Sequence, residues 1–103
     1  MRLNQQELEA SLLILLQAGD CTHYAAAGAV LAHKLAPEAA IYPCLRQMLR
    51  RDWVSSYLVE QADGPPRKYF RLETRGRDAL DRLAQSLAGR YAQIRARLLE
   101  PSA

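Results

Sequence analysis

The sequence has 103 residues, of which 50% are hydrophobic and 24% charged, and these proportions are those of one small globular domain. No apolar run reaches the ~20 residues needed to cross a bilayer, and the N-terminus lacks the plan of a signal peptide, so we expect a cytoplasmic protein with no membrane contact. No Ser-His-Asp set, Gly-rich phosphate loop or metal-spaced cluster is present. We therefore predict no enzymatic activity, no metal site and no cofactor.

The net charge of +3 is unevenly distributed along the chain. Residues 1–45 contain two cations and four anions, whereas residues 46–77 contain eight cations and four anions. A basic excess in the middle of the chain favours a polyanionic partner, with a merely solvated surface as the alternative. Cys21 and Cys44 are predicted to be reduced thiols packed as small apolar residues, and a redox-sensing thiol is the alternative.

The first two predicted helices have clear start signals. Asn4 is a good N-cap for a helix over residues 4–20, and Glu7 three positions later completes an Asn-led capping box. Thr22 caps a second helix over residues 22–35. Gly28 inside that helix predicts that a neighbouring segment approaches closely there.

A third helix is predicted over residues 36–52, with Pro37 at its first position. Pro43 conflicts with this range, because a proline two turns into a helix should end or kink it. The alternative is that the helix proper begins near Ile41 and that the preceding turn is separate.

Two strands and a long helix follow. The segments WVSSYLVEQ and KYFRL are predicted to form a β-hairpin whose stiff tip is ADGPPR. A single long helix is predicted from residue 74 to residue 100. Its apolar residues alternate spacings of four and three, which makes a heptad-like seam: Leu80, Ala84, Leu87, Tyr91, Ile94 and Leu98.

Three short helices followed by a basic hairpin are the layout of a winged helix. The predicted fold class is mainly α with a small β-hairpin: a winged helix-turn-helix plus a long C-terminal dimerisation helix. Residues 1–73 would form the DNA-binding part and residues 74–100 the dimerisation helix, within one compact domain overall. In this architecture the third helix enters the major groove of double-stranded DNA, and the hairpin is the wing beside it.

The stretch IYPCLRQMLRRDWVSSYLVEQADGPPRKYFRLETRGRDAL, residues 41–80, resembles the PadR family of bacterial transcription regulators. The matching pieces are Ile41-Tyr42-Pro43 on the third helix, the wing residues Gly64 to Phe70, and Thr74 with Gly76 at the start of the last helix. The match is weaker over residues 8–36. The short chain is similar to the compact branch of the family, which has one C-terminal helix.

The resemblance implies a homodimer that pairs through the first and last helices. The residues expected at this interface are Leu8, Leu12, Leu87, Tyr91, Ile94 and Leu98. The seam supports this independently, because a long lone helix needs something to cover its apolar stripe.

The resemblance also implies a ligand-responsive repressor with a small aromatic effector at the dimer interface. Relatives that sense drugs stack a tryptophan of the last helix on the ligand, whereas this chain has Leu87 at about that position. Tyr91, one turn later, is the candidate to stack on the effector in place of this tryptophan. The alternative is that Tyr91 only packs in the dimer seam.

The residues expected to contact operator DNA lie on the third helix and on the wing. They are Tyr42, Arg46, Gln47, Arg50, Arg67 and Lys68. Ala39 and Ala40 replace the polar residues that relatives carry before the Tyr-Pro motif, and alanine offers no hydrogen bond to a base edge. These alanines and Glu38 keep open an alternative function, a winged-helix module that binds a protein and modulates another regulator.

Overall fold

The computed structural model describes residues 2–99. In this range five α-helices, one 3₁₀ turn and three short strands follow one another along the chain. They are α1 (Gln5–Ala18), β1 (Cys21–Thr22), α2 (His23–Ala32), the 3₁₀ turn (Glu38–Ala40), α3 (Ile41–Arg50), β2 (Val54–Val59), β3 (Arg67–Leu72), α4 (Thr74–Leu87) and α5 (Gly89–Leu98). The predicted order of three helices, a hairpin and a terminal helical segment is confirmed.

The starts of α1 and α2 follow from their capping residues. The side chain of Asn4 accepts a hydrogen bond from the backbone N–H of Glu7 at 2.8 Å, and the Glu7 carboxylate accepts one from the backbone N–H of Asn4 at 2.9 Å. This reciprocal pair is the predicted capping box. The side chain of Thr22 accepts from the backbone N–H of Ala25 at 3.1 Å, as expected of an N-cap.

α3 begins at Ile41, which decides between the two interpretations of Pro43. The 3₁₀ turn precedes it, so Pro43 is the third residue of the helix. The first four backbone N–H groups of an α-helix have no acceptor inside the helix, so a proline at this position removes no hydrogen bond.

The small sheet is antiparallel in the order β1-β3-β2. The hairpin register pairs Val54 with Leu72 and Val59 with Arg67, and it places a loop of residues 60–66 at the tip. The sequence did not predict β1, because two residues are too short to show a strand pattern. β1 pairs with β3 and thereby ties the wing to the start of α2.

α1 lies at the centre of the core. Residues 7–14 are all buried, and α2, α3, α4, α5 and β3 all pack around this helix. Leu12, Leu13, Ile41, Phe70 and Ile94 are almost completely inaccessible to solvent. The core therefore contains side chains from both predicted parts of the chain, residues 1–73 and residues 74–100.

Two expectations about helices were wrong. The terminal segment is not one helix, because Ala88 has φ 51° and ψ −122°, a non-helical conformation that separates α4 from α5. The expected close approach at Gly28 is also not observed, since a Cβ added there would meet no atom within 4 Å. None of the helices in residues 2–99 is long and apolar enough to span a membrane.

Candidate nucleic-acid interface

The solvent face of α3 carries all four of the residues predicted from this helix. Ile41, Cys44, Leu45 and Met48 anchor the opposite face in the core. The periodicity of the helix places the other residues on the opposite face, where these four are exposed to solvent: Tyr42, Arg46, Gln47 and Arg50. The helix therefore presents one aromatic, one amide and two cationic side chains outward.

The wing presents two further cations. Arg67 and Lys68 are exposed at the start of β3, directly after Pro65 and Pro66. Gly64 has φ 117°, which residues with a side chain rarely adopt, so the turn depends on glycine here. The Lys68 ammonium lies 5.6 Å from the centroid of the Phe70 ring, and Phe70 itself is buried in the core.

An aromatic cluster joins α2 to α3 on the same side of the molecule. The His23 ring lies 5.2 Å from the Tyr24 ring and 5.3 Å from the Tyr42 ring, centroid to centroid. Tyr24 is 80% exposed and Tyr42 is 40% exposed. The residues predicted from the sequence did not include His23 and Tyr24, which follow the Thr22 cap in the first turn of α2.

A cleft of about 760 Å³ separates this aromatic cluster from the wing. Tyr24 and Tyr42 line one side, and Pro65, Arg67 and Lys68 line the other. The structure therefore brings Tyr42 together with both predicted wing cations. Arg46, Gln47 and Arg50 lie on α3 and do not line this cleft.

The charged side chains fall into two groups according to their partners. Arg51, Arg71, Arg75 and Arg90 form ion pairs with carboxylates of the same chain. In residues 2–99 no carboxylate lies within 4.0 Å of the charged groups of Arg46, Arg50, Arg67 and Lys68. These four predicted contact residues are therefore available for an external anion, as are other unpaired cations of the chain that lie away from α3 and the wing.

The base of the wing is held by a polar cluster around Asp20. The Tyr57 hydroxyl donates to the Asp20 carboxylate at 2.6 Å, and the Arg71 guanidinium donates to the same oxygen at 3.1 Å. The hydrogen bond from Tyr57 holds the pKa of Asp20 below its usual value, and Arg71 acts in the same direction. Tyr57 also stacks on Tyr69, with centroids 5.7 Å apart, so β2 and β3 are braced on their outer face.

The cysteines have the surroundings of packed apolar residues. Cys44 is buried in α3, and this burial raises the pKa of its thiol to about 12. Burial also raises the pKa of the half-buried Cys21. Because the thiolate is the reactive form, both thiols are poor nucleophiles near neutral pH.

The residues predicted for the dimer interface are found within the fold of a single chain. Leu8, Leu12, Ile94 and Leu98 are buried in the core. Leu87 and Tyr91 pack against it and remain partly exposed. In the single chain, packing of α5 on α1 therefore buries much of the apolar seam that a straight helix would present to a partner.

A helical core with a basic antiparallel wing is the architecture of a winged-helix protein. The model of the transcriptional regulator PadR-like family matches residues 13–82, which is more than half of the chain. The protein belongs to this family.

Solved structures of related proteins show the same fold. A PadR family transcription regulator from Clostridium difficile R20291 is 27% identical, with a TM-score of 0.70 over 78% of this chain and 85% of its own. A PadR-like transcription factor from Bacteroides fragilis is 26% identical, with a TM-score of 0.73 over 87% of this chain and 88% of its own.

A more distant structure is that of Bacillus subtilis PadR in complex with operator DNA. It is 22% identical, with a TM-score of 0.65 over 73% of this chain and 44% of that chain. Among curated proteins the chain has no match.

Proposed function

We propose that the protein binds operator DNA as a homodimer and represses transcription. The observation that supports this proposal is the grouping of exposed cations on α3 and the wing, where Arg46, Arg50, Arg67 and Lys68 form no ion pair within residues 2–99. Cations that contact phosphates release condensed counterions from DNA, which is the main source of affinity for such proteins. The operator complex of the Bacillus subtilis relative supports the same assignment.

The two surfaces have different roles in this proposal. α3 lies in the major groove, where Arg46 can reach guanine and Gln47 can reach adenine. Arg67 and Lys68 bind phosphates beside it, and the braced wing loses little conformational entropy when it does so. Tyr42 donates its hydroxyl to a phosphate from the edge of the cleft.

DNA binding is tested by fluorescence anisotropy with the DNA upstream of the protein's own gene and with random DNA, each across a salt series. We expect tight binding to the upstream DNA that weakens steeply as salt rises. An Arg67→Ala/Lys68→Ala variant should bind more weakly, and the slope of log K against log salt should fall by about 2 per chain. Arg82→Ala/Arg95→Ala removes the same charge from exposed positions of α4 and α5 and is the matched control.

The alternative function gives the opposite result in the same experiment. A module that binds a protein partner would bind DNA weakly, without preference for the upstream fragment and without a response to the wing substitutions. Glu38 and Ala39, both exposed just before α3, are the residues that favour such a partner. An operator found by unbiased selection from random DNA would still support the regulator.

We also propose that a small aromatic effector releases the protein from DNA by binding near Leu87 and Tyr91. These two side chains are only partly covered, and the Tyr91 ring offers a face for stacking. The test is release of labelled DNA by flat phenolic acids and aromatic cations. Tyr91→Ala should abolish the response, whereas Tyr91→Phe, which keeps the ring, should retain it. Release that is equal in both variants would contradict this site.

A further inference from the structure

The cleft beside the wing forms where two segments of the chain part. β1 pairs with β3 through Cys21 with Phe70 and Thr22 with Tyr69. After Thr22 the first segment turns into α2, and before Tyr69 the second extends into the wing. The buried Phe70 lies at this junction and lines the cleft. The two walls of the cleft are therefore fixed to each other by backbone pairing at their base.

One wall is aromatic and is formed by Tyr24, Tyr42 and His23. The His23 ring contacts both tyrosine rings, and both tyrosines are exposed to solvent. The Nε2 atom of His23 is buried and has no hydrogen-bond partner within residues 2–99. Because an unpaired buried polar atom costs free energy, packing alone does not account for this arrangement.

The opposite wall belongs to the wing and is polar. Arg67 and Lys68 line it and form no ion pair within residues 2–99. Asp63 and Gln61 line the same cleft. This wall therefore carries cations that can bind an anion and side-chain oxygens that can accept hydrogen bonds from hydroxyl groups.

Duplex DNA would use the cations of this cleft but not the faces of its aromatic rings. The bases of a duplex are stacked on one another, and a base must leave the stack before it can lie against a protein side chain. The cleft volume of about 760 Å³ falls within the range of small-molecule sites. The cleft thus fits a small, flat anion that is not part of a duplex.

Among such anions, a ribonucleotide fits the two walls better than a plain aromatic acid. The Asp63 carboxylate would repel a carboxylate attached directly to a ring, whereas acidic side chains accept hydrogen bonds from ribose hydroxyls. The sugar also separates the base from the phosphate, so each can contact a different wall. Stacking of a base on an aromatic side chain tolerates any base, because every base has a flat face.

We propose that this cleft binds a ribonucleoside monophosphate. The base stacks on Tyr24 and Tyr42, and the phosphate binds Arg67 and Lys68. The ribose hydroxyls donate to Asp63. The cleft therefore supplies a partner for each of the three parts of the nucleotide.

The bound nucleotide excludes operator DNA, because Tyr42, Arg67 and Lys68 are the side chains that the proposed function assigns to phosphate contacts. This exclusion rests on the proposed function, whereas nucleotide binding itself does not. Neither Leu87 nor Tyr91 lines the cleft, so the nucleotide site is separate from the proposed site of the aromatic effector.

Isothermal titration calorimetry of the full chain with AMP, in the absence of DNA, tests the site. Adenosine lacks the phosphate, inorganic phosphate lacks the base, and benzoate lacks the sugar. Each of these should bind at least about tenfold more weakly than AMP, because each loses contacts with part of the cleft. GMP should bind within about threefold of AMP, because stacking does not select the base.

Substitutions at Tyr24 test the aromatic wall. Tyr24→Ala should weaken AMP binding about tenfold, whereas Tyr24→Phe, which keeps the ring, should retain it. Tyr24 is 80% exposed, so neither substitution should disturb folding. Leu31→Ala removes another exposed apolar side chain of α2 that does not line the cleft, and it should leave AMP binding unchanged.

The wing variant tests the phosphate contacts. Arg67→Ala/Lys68→Ala should weaken AMP binding about tenfold, because hydrogen bonds from a cation to a phosphate are lost. The same substitutions should have little effect on adenosine. Arg82→Ala/Arg95→Ala removes the same charge elsewhere and should leave AMP binding unchanged.

Three calorimetric results would overturn the nucleotide site. They are the absence of AMP binding, equal affinities for AMP and inorganic phosphate, and equal AMP affinities of Tyr24→Ala and the unsubstituted protein. Because calorimetry uses no DNA, its failure would leave the operator-binding proposal standing, and failure of operator binding would leave the calorimetric result intact.

Release of labelled upstream DNA tests the exclusion. AMP should release this DNA from the unsubstituted protein, and release from Tyr24→Ala should need about tenfold more AMP. AMP that binds without releasing DNA would overturn the exclusion. Release by single-stranded DNA but not by AMP would overturn the free nucleotide as the occupant, in favour of an unpaired strand.

Discussion

At the residue scale, Gly76 shows how a single position joins the wing to α4. A Cβ added to Gly76 would lie 2.1 Å from the carbonyl oxygen of Trp53 and 2.6 Å from Leu72 Cδ1. The same carbonyl accepts a hydrogen bond from the backbone N–H of Glu73 at 3.0 Å. The first turn of α4 therefore packs directly on the backbone where β2 begins, and only glycine allows this distance.

We expect Gly76→Ala to lower the free energy of unfolding by about 1–3 kcal/mol, because the backbone oxygen of Trp53 cannot move aside as a flexible side chain would. Urea denaturation followed by circular dichroism measures the change. Gly28→Ala is the matched control, since its Cβ enters open space inside a helix. That control should stabilise the protein by up to about 1 kcal/mol. Equal stability of the two variants would contradict the close packing at Gly76.

At the element scale, Glu7 in the first turn of α1 makes one contact with a neighbour in sequence and one with a distant helix. Glu7 completes the capping box with Asn4 and also accepts the hydrogen bond from Arg90 of α5. The bond from the Asn4 backbone holds the pKa of Glu7 below 4.5, with Arg90 acting in the same direction against the effect of burial. The sequence predicted the cap, but the contact with Arg90 spans 83 positions and required the fold.

The ionised Glu7 should stabilise the protein at neutral pH and lose this effect in acid. Its pKa is lower in the folded than in the unfolded chain, so its contribution is present above pH 4.5 and is lost as the pH falls through the folded pKa. Glu7→Gln keeps a capping side chain but loses the charge, and it should cost about 1–2 kcal/mol at pH 7.

Thermal unfolding of both proteins from pH 7 to pH 3 measures this difference. The gap between the two melting temperatures should be widest at pH 7 and should close below pH 4.5. Gln6→Ala, at an exposed neighbouring position, should show no such pH-dependent gap. A gap that persists unchanged at pH 3 would show that the charge of Glu7 is not its cause.

At the scale of the whole molecule, α3 and the wing present two cationic surfaces, to which the proposed function assigns different roles. Their cations are free of intramolecular ion pairs within residues 2–99, whereas Arg51 and Arg71 are engaged with Glu9 and Asp20. Base contacts specify a DNA sequence, while phosphate contacts position the protein on any sequence. Substitutions on the two surfaces should therefore have different effects on specificity.

We expect Gln47→Ala or Arg46→Ala to reduce discrimination at one operator base pair by about 1–3 kcal/mol. By contrast, Arg67→Ala should weaken binding to specific and random DNA by similar factors. Binding of each variant to a panel of single-base operator variants would separate the two cases. Loss of affinity that is uniform across the panel for Gln47→Ala would place this residue outside the major groove.

The sequence by itself determined the elements whose signals are local or periodic. The Asn4 and Thr22 caps and the two strands of the hairpin with their turn-rich tip all depend on neighbours within a few residues. The match of residues 13–82 to the family confirms the interpretation of the motifs around the third helix and the wing. These signals can be read from a single sequence because hydrogen bonds between neighbouring residues and side-chain periodicity determine these elements.

Only the tertiary structure decided the position of α5 and the formation of the aromatic cluster, because both depend on long-range contacts. The seam from Leu80 to Leu98 has the spacing of one straight helix, but the chain bends at Ala88, beside Gly89. Burial of Ile94 and the Glu7–Arg90 contact hold α5 on α1 after this bend. The cluster of His23, Tyr24 and Tyr42 likewise arises because α2 packs against α3. The Glu7–Arg90 contact and the contact of His23 with Tyr42 both join residues far apart in sequence, and no local pattern encodes such contacts.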